Sequence, residues 1–541
     1  MMHADETNTS PSFAIDRDTP RVYLVGGGIA SLSAAAFMIR DGDIPGHNIT
    51  IIEETNVIGG SLDGAGSPQD GYVLRGGRMI ESKYLCTFDL FGSIPTLDGS
   101  RTVTQEIFAW NETMKTSSKS RLVRNGRRET APRFELSEND ILTIERLALE
   151  PEILLGGTSI ADQFDDAFFK TNFWFMWSTT FAFQPWHSAV EFKRYLVRFS
   201  HMVAGFNRLE GIMRTVYNQY DSMVRPLRKW LDERGVKFEL NSRVTDLGIS
   251  DQDGKITVSR VSFKREGSEG EIKTRPSDYV LVTLGSMTEA STLGSSNSAP
   301  ILKDRHDGGA WALWETIAVG RPAFGHPAVF STHTDQSKWL SFTATLHDPA
   351  FLRILRDFTG NVPGEGGLIT FPDSNWRTSI VVPHQPHFLG QPEDVSVFWG
   401  YGLFVDQPGN FVKKPMSGCT GREIMTEVLG HLRIQAEASN ILETSTCIPC
   451  MMPFITSQFL RRKIGDRPQV VPEGSKNLAF VGQFCELPDD VVFTVEYSIR
   501  SAQAAVYTLL GLRRQPPAVY MGKFDPRVLY KAFMALHDFA S

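Results

Sequence analysis

The chain has 541 residues, of which 41% are hydrophobic and 22% charged, and it carries a formal net charge of -7. That length supports two or more domains around substantial cores. The acidic balance offers no electrostatic footprint for nucleic acid, and no uninterrupted apolar run of about 18 residues is present to span a membrane. Residues 1–20 are polar and acidic, without the basic flank and apolar core of a secretory signal, and read as a flexible lead-in.

Residues 21–60 read RVYLVGGGIASLSAAAFMIRDGDIPGHNITIIEETNVIGG. An apolar strand at Val22–Val25 runs into Gly26, Gly27 and Gly28; a small-residue helix is predicted over Ser31–Ile39, and a second strand over Ile49–Ile52 ends in Glu53. This is the layout of a dinucleotide-binding βαβ unit. Gly26 permits a tight turn and Gly28 lets a pyrophosphate approach the backbone, while the helix N-terminus offers free N–H groups. Glu53 lies where a carboxylate accepts hydrogen bonds from the adenosine ribose. Ser31 takes the third glycine position, small enough for close helix–strand packing. Gly59 and Gly60 follow.

Further along, residues 115–133 are basic, and Asn125-Gly126 within them predicts a hairpin turn. A solvated loop is the plainer reading of that charge; a patch for anionic lipid or a carboxylate is the sharper one. Residues 137–235 read as mainly helical. Within them Phe173–Trp186 holds seven aromatics in fourteen residues, which suits both a buried helix and the wall of a tunnel for a long apolar ligand. Strands are predicted at Val236–Leu240 and Tyr279–Leu284, and residues 300–470 mix strands, loops and helices. Gly364–Gly367 reads as a loop after Pro363, so a second nucleotide-binding unit is not expected.

Near the C-terminus, NLAFVGQF (477–484) predicts a strand ending in Gly482, ahead of a helix over Phe493–Leu510. A strand, a glycine and a helix form a familiar closing element of flavin-binding domains, able to bring N–H groups to a flavin or its phosphates. In the tail, Pro526 fits a first helical turn. Val528, Leu529, Ala532, Phe533 and Leu536 share a face between Lys523, Arg527 and Lys531. Docking of this helix on the protein is the plainer expectation, with a membrane surface the alternative.

Five cysteines without a signal peptide predict reduced thiols and a cytoplasmic protein, with peripheral contact at the inner membrane face open to the tail. Cys447 and Cys450 form a CxxC pair, read as two buried thiols in a turn because no thioredoxin-like βαβ pattern surrounds them. His384 and His387 lack a completing acid or cysteine cluster, so no metal is expected.

The blocks RGGRMIESKYLCTFDLF (75–91), FAFQPWHSAVEFKRYLVRF (181–199), YNQYDS (217–222), YGLFVD (401–406), VKKPMSGCTGREI (412–424) and GDRPQVVPEGSKNLAFVGQF (465–484) together resemble the oleate hydratases, once called the myosin-cross-reactive antigen family. The resemblance covers nearly everything from Arg21 to about Leu510. It implies an α/β fold: a discontinuous Rossmann-like FAD domain (21–95, 235–299 and 470–515), a large inserted mixed α+β substrate domain (96–234 and 300–469) and a C-terminal helical tail (516–541). It also implies a hydratase that adds water across the cis double bond of an unsaturated free fatty acid, without net redox change. Ser61, Arg75, Gly76 and Gly77 are expected to join Gly26, Gly28, Ser31, Glu53, Gly59, Gly60 and Gly482 around FAD.

Hydrating an isolated alkene requires a proton donor at one carbon, a poised water at the other and negative potential near the developing cation. Tyr195 sits where the family places its proton-donating tyrosine. The family's RGGREM motif, whose glutamate polarises water, reads RGGRMI here, so Met79 stands where that acid would be; a thioether cannot do its work. Either another acid serves, with Glu81 two residues on as the candidate, or water is oriented by backbone and flavin edges alone. The family's T-x-N-x-x-x-H pattern for the fatty-acid head keeps only His387, with Val381 and Pro383 at the other two positions. Carboxylate binding then falls to His387, His384 or a nearby basic group, and Gln219 matches a substrate-site glutamine. The competing reading is a flavin-dependent oxidoreductase of the amine oxidase or desaturase type, since the same βαβ opening serves both. A flavin-bound lipid-binding protein without activity is the non-enzymatic alternative. Nothing in the chain marks a subunit interface.

Overall fold

The computed structural model describes residues 19–77, 79–303 and 308–538. Most of the expected lead-in, and Arg78 of the RGGRMI run, lie outside them.

The strand Val22–Val25 is buried throughout. It pairs in parallel with Ile49–Ile52 on one side and Tyr279–Thr283 on the other. Lys237–Glu239 extends the first side and Leu478–Val481 the second, giving a five-stranded parallel sheet. Continuous Val/Ile/Leu runs suit strands covered on both faces. The chain winds outward in one direction through the strands at 49–52 and 237–239, then in the other through those at 279–283 and 478–481. The direction changes between Val22–Val25 and Tyr279–Thr283, so a crevice opens at their C-terminal ends, where α/β sheets bind ligands.

The helix Ile29–Arg40 starts two residues earlier than its pattern predicts, with Gly28 as its N-cap. Its buried Ala34, Ala35 and Ala36 permit close packing, and it lies against the helix Val495–Leu509. That helix begins after Phe493, whose φ of 68° cannot continue a helix, with the Thr494 side chain accepting from the Tyr497 N–H.

An eight-stranded mixed sheet forms a second layer. Its hairpin at Leu122–Arg124 and Arg127–Glu129 turns through Asn125 and Gly126, both at positive φ, as the Asn-Gly pair predicts. The hairpin Ala65–Ser67 and Gly71–Val73, which follows the first layer's glycine turn, is stitched to the second: Thr345 Oγ1 accepts from the Tyr72 N–H at 2.8 Å and Thr343 Oγ1 from the Leu74 N–H at 2.9 Å. This seam holds the glycine run 75–77 between the layers.

Two expectations need correction. Cys447 and Cys450 lie in the middle of the strand Ser445–Met452, not in a turn. Three residues apart on a pleated strand, they point to opposite faces, and burial pushes the Cys450 thiol up to about 12 and Cys447 up as well. The tail helix, Pro526–Leu536, docks against residues 200–208 as expected, with Leu536 buried and Val528 and Ala532 half-buried, but only part of the expected face is covered. Ala535 and Leu536 are buried, whereas Leu529 and Phe533 are 47% and 44% exposed. Asp538, just past the helix, accepts from the Phe134 N–H at 2.9 Å. That long-range anchor sets the rotation, which helical periodicity cannot encode.

Candidate functional site

The crevice at the sheet's switch point is built from glycine. Gly26 adopts φ 95°, and a Cβ there would sit 3.1 Å from Thr283 Oγ1. Gly28 bridges Gly59, whose N–H donates to the Gly27 carbonyl at 2.8 Å. Gly60 adopts φ 58°, and its Cβ would stand 3.1 Å from Gly28 Cα. Two backbones therefore pass with no room for side chains. The following helix has no side-chain cap and no acid in its first turn, so its first N–H groups and its dipole face the crevice. These features fit a dinucleotide's pyrophosphate. Gly60→Val would impose about 1–3 kcal/mol of backbone strain and close the cradle. The purified variant is expected to bind added FAD, the dinucleotide expected from the sequence, about tenfold more weakly than wild type, read by titration.

The remaining expected cofactor residues surround this cradle. Glu53 accepts from the Gly27 N–H at 2.6 Å through Oε2 and from Thr55 through Oε1, so the carboxylate orders the glycine turn as well as facing the crevice. Ser31 is buried, with its hydroxyl 3.3 Å from that of Thr283, at the helix–sheet contact. Arg75 pairs with Asp63 at 2.8 Å and donates to the Gly60 carbonyl at 2.7 Å, pinning the loop that carries Ser61, Gly76 and Gly77. Gly482, at φ 96°, ends its strand as expected, but its own N–H donates to Ser501 Oγ at 2.9 Å. That N–H is therefore committed within the protein.

Two adjoining cavities lie beside the 75–79 loop. One, of ≈ 690 Å³, is bordered by polar groups including Arg214, Asn218, Gln219, His384 and His387. The other, of ≈ 750 Å³, is bordered largely by aromatic residues, among them Tyr84, Phe181, Tyr195, Phe199, Trp339 and Phe493. Gly77, Met79 and Trp399 border both. An elongated ligand reaching across that shared border would lie in a largely apolar channel with polar groups at one end. The aromatic run 173–186 serves both of its readings: Asn172–Phe181 is a buried helix, and its end at Thr179–Ala182 forms part of the channel wall.

Tyr195 is 1% exposed, on the helix Ala189–Arg198. Its ring packs among Phe181, Phe183, Phe199 and Phe459, and its hydroxyl donates to the Val492 carbonyl at 2.6 Å. Glu191 and Arg198 share its face at helical spacing, Arg194 flanks it, and each is fastened elsewhere. Glu191 pairs with Arg462 at 2.7 Å and Arg467 at 2.9 Å; Arg194 pairs with Glu152 at 2.8 Å and Glu486 at 2.7 Å. Arg198 pairs with Glu81 at 2.9 Å. The ion pairs thus hold the helix at three points around the phenol.

Glu81 borders the same aromatic cavity and is 1% exposed. Burial alone would raise its pKa, but the His201 hydrogen bond and the Arg198 charge outweigh burial and hold it below its ordinary value. It is therefore an ionised carboxylate and a weak base. The ribbon that places it pairs Ile80–Glu81 with Ile212–Met213, and the residues flanking it, Met79 and Arg214, border the polar cavity.

Of the expected head-group residues, Gln219, His387, Val381 and Pro383 all border the polar cavity. Burial, with a contribution from Arg214, pushes His387 down to about 3, and burial also lowers His384, so both imidazoles are neutral near pH 7. Arg214, Trp110 and Trp399 escaped the sequence reading. Arg214 lies three residues before the YNQYDS block, and the two tryptophans carry no motif. Among the described residues no group of His, Cys, Asp and Glu is arranged to hold a metal, and no helix is long and apolar enough to cross a membrane.

Comparison with known proteins is consistent across the chain. Residues 19–507 match the MCRA family. The chain is 40% identical over 534 residues to the oleate hydratase of Streptococcus pyogenes serotype M49 (strain NZ131), covering 96% of this chain and 90% of that protein. It is 31% identical over 564 residues to the linoleate hydratase of Lactiplantibacillus plantarum, covering 96% and 98%. Among solved structures it resembles cyclohexylamine oxidase from Brevibacterium oxydans IH-35A (TM-score 0.52, 11% identity, 92% of this chain and 100% of that one). It also resembles putrescine oxidase (TM-score 0.51, 12% identity, 91% and 99%). At such identities the likeness is one of fold.

Proposed function

The chain belongs to the MCRA family, and from that premise we propose that it is a fatty acid hydratase. It adds water across the cis double bond of an unsaturated free fatty acid, oleate giving 10-hydroxystearate, with no net redox change. The observation that carries this reading is a pair of adjoining cavities, an aromatic one bordered by a buried phenol and one with polar groups, with Gly77, Met79 and Trp399 on the border of both. Purified protein supplied with FAD and oleate is expected to yield a product heavier by one water. Loss of hydrogens or consumption of oxygen would instead support the oxidoreductase alternative.

In this reading Tyr195 delivers the proton. A phenol ordinarily titrates at about 10, which makes tyrosine a suitable proton donor at neutral pH. The Val492 carbonyl holds the hydroxyl at a fixed point on the wall, from which an alkene in the channel can compete for the proton. The aromatic walls exclude bulk water, so the developing cation meets the water the site admits. Glu81, kept ionised by Arg198 and His201, is the proposed group that orients this water and offers negative potential to the cation. FAD, held by Gly26, Gly28, Glu53, Gly59, Gly60, Ser61, Arg75, Gly76 and Gly77, would supply its ring system as a polar surface beside the channel without net electron transfer. Because Glu81 shares its charge with Arg198, Glu81→Gln is expected to lower kcat by about tenfold, less than the ~10²–10⁴-fold of a full acid–base group. Unchanged turnover would remove Glu81 from the mechanism.

The cofactor domain is proposed to comprise 21–95, 235–299 and 470–515, with the channel built by the insertions. The exposed Phe524, Leu529, Tyr530 and Phe533, beside Lys523, Arg527 and Lys531, form the proposed contact of the tail with a lipid surface.

A further inference from the structure

The polar cavity contains a charge without a resident counter-ion. Arg214 lies just past the strand Ile212–Met213, with its guanidinium buried. Its Nε and Nη2 are buried without hydrogen-bond partners, and no ion pair to it is found among the described residues. Asn111 meets only the Arg214 backbone, through both its N–H and its carbonyl. Desolvation pushes the guanidinium down to about 10, and no acid lies near enough to raise it again. The one carboxylate bordering this cavity, Asp63, is paired with Arg75 at 2.8 Å. Burying an uncompensated guanidinium is costly, so its persistence points to a ligand anion.

The position of Met79 sharpens the point. Ile80 pairs with Met213 and Glu81 with Ile212 in an antiparallel ribbon. One step further along each strand sets Met79 against Arg214, and both residues border the polar cavity. An acid at position 79 would be placed to neutralise this arginine, and a thioether cannot. The loss of the acid and the change in the head-group residues are therefore linked. With Val381 and Pro383 offering no side-chain hydrogen bond, and His384 and His387 neutral, Arg214 is the one cation bordering the cavity among the described residues.

We propose that Arg214 binds the carboxylate of the fatty acid, taking the charge-pairing role that Val381 and Pro383 cannot fill, and so restricts the enzyme to ionised free acids. The planar guanidinium presents two unused N–H directions, which suits fork-like pairing with a carboxylate. Gln219, Asn218 and Thr215 stand at the same cavity to complete the head group's hydrogen bonds. The pyrophosphate cradle at Gly26–Gly28 does not border this cavity, so a cofactor phosphate is not the anion in question.

This assignment rests on the hydratase reading, and the two can be tested apart. The FAD-loaded wild type and Arg214→Gln are titrated with oleate, methyl oleate and oleyl alcohol, and turnover of oleate is followed in parallel. Wild type is expected to prefer the acid over the ester and alcohol. Arg214→Gln is expected to lose on the order of 30-fold or more in oleate affinity, to bind the ester as wild type does, and so to lose the preference. Arg214→Lys should recover part of it. Met79→Glu, which supplies a resident carboxylate, should weaken oleate binding and leave methyl oleate unaffected, and it tests the idea even should Arg214→Gln fold poorly. An Arg214→Gln protein that keeps both affinity and preference, or that loses FAD instead of oleate, overturns the assignment. If wild type binds oleate with that preference yet adds no water, the hydratase reading falls and the carboxylate anchor stands.

Discussion

Tyr195→Phe is expected to lower kcat for oleate hydration by about 10²–10⁴-fold, the range for losing a positioned general acid, with little change in KM. The substitution is well isolated. Phenylalanine keeps the ring that packs against Phe181, Phe183, Phe199 and Phe459, and it removes only the hydroxyl and its bond to the Val492 carbonyl. One such hydrogen bond is worth about 1 kcal/mol to stability, so fold and flavin content should be retained. Product formation is followed by mass, alongside the visible spectrum and an unfolding curve. Retained turnover in a folded, flavin-loaded variant would place the proton donor elsewhere.

The second large effect concerns stability. Glu191→Leu should destabilise the protein by about 3–5 kcal/mol, the cost of removing one partner from a buried ion pair. Glu191 is fully buried and is shared by Arg462 and Arg467, themselves almost fully buried. Without it, Arg467 keeps the Gln458 carbonyl at 2.6 Å, and Arg462 keeps Glu486, already shared with Arg194, at 3.2 Å. A urea midpoint measured with unchanged slope would report the loss. The pH dependence has a definite sign. Burial would raise the Glu191 pKa, but the three arginines outweigh it and depress it from 4.5 to about 2. Its contribution is therefore present above pH 4.5 and is lost as pH falls through 2. Wild type should lose stability across that window faster than Glu191→Leu, and parallel curves would contradict the assignment. Because Glu191 anchors the helix that carries Tyr195, the variant should also turn over more slowly than its stability at assay temperature explains.

How much was legible beforehand differed by region. The βαβ opening read correctly because its determinants are local: a buried apolar run, glycines at a turn, and an acid at the end of the next strand. The Asn-Gly hairpin read correctly for the same reason, since two residues at positive φ suffice to define it. Gly482 shows where local reading stops. Its position after a strand was legible, but the partner of its N–H, Ser501, lies on a helix that only folding brings alongside. Tyr195 and Glu81 were named from a resemblance, and their common cavity follows from packing between a helix and a distant two-residue ribbon. Arg214 carries no signal in the sequence, because an arginine before a motif looks like any solvated charge; its burial without an ion pair among the described residues is a product of folding.

Residue order alone was enough to establish a parallel α/β core with a dinucleotide-type glycine turn, the absence of an apolar run long enough to cross a membrane, and the family to which the chain belongs. Those features depend on neighbours within a few turns of chain. Which face of the tail helix docks, where the CxxC pair lies, which N–H groups stay free, and which cation meets the polar end of the channel were settled by folding. The physical reason is that burial and pairing are properties of contacts between segments far apart in the chain, and no local pattern records which of them will touch.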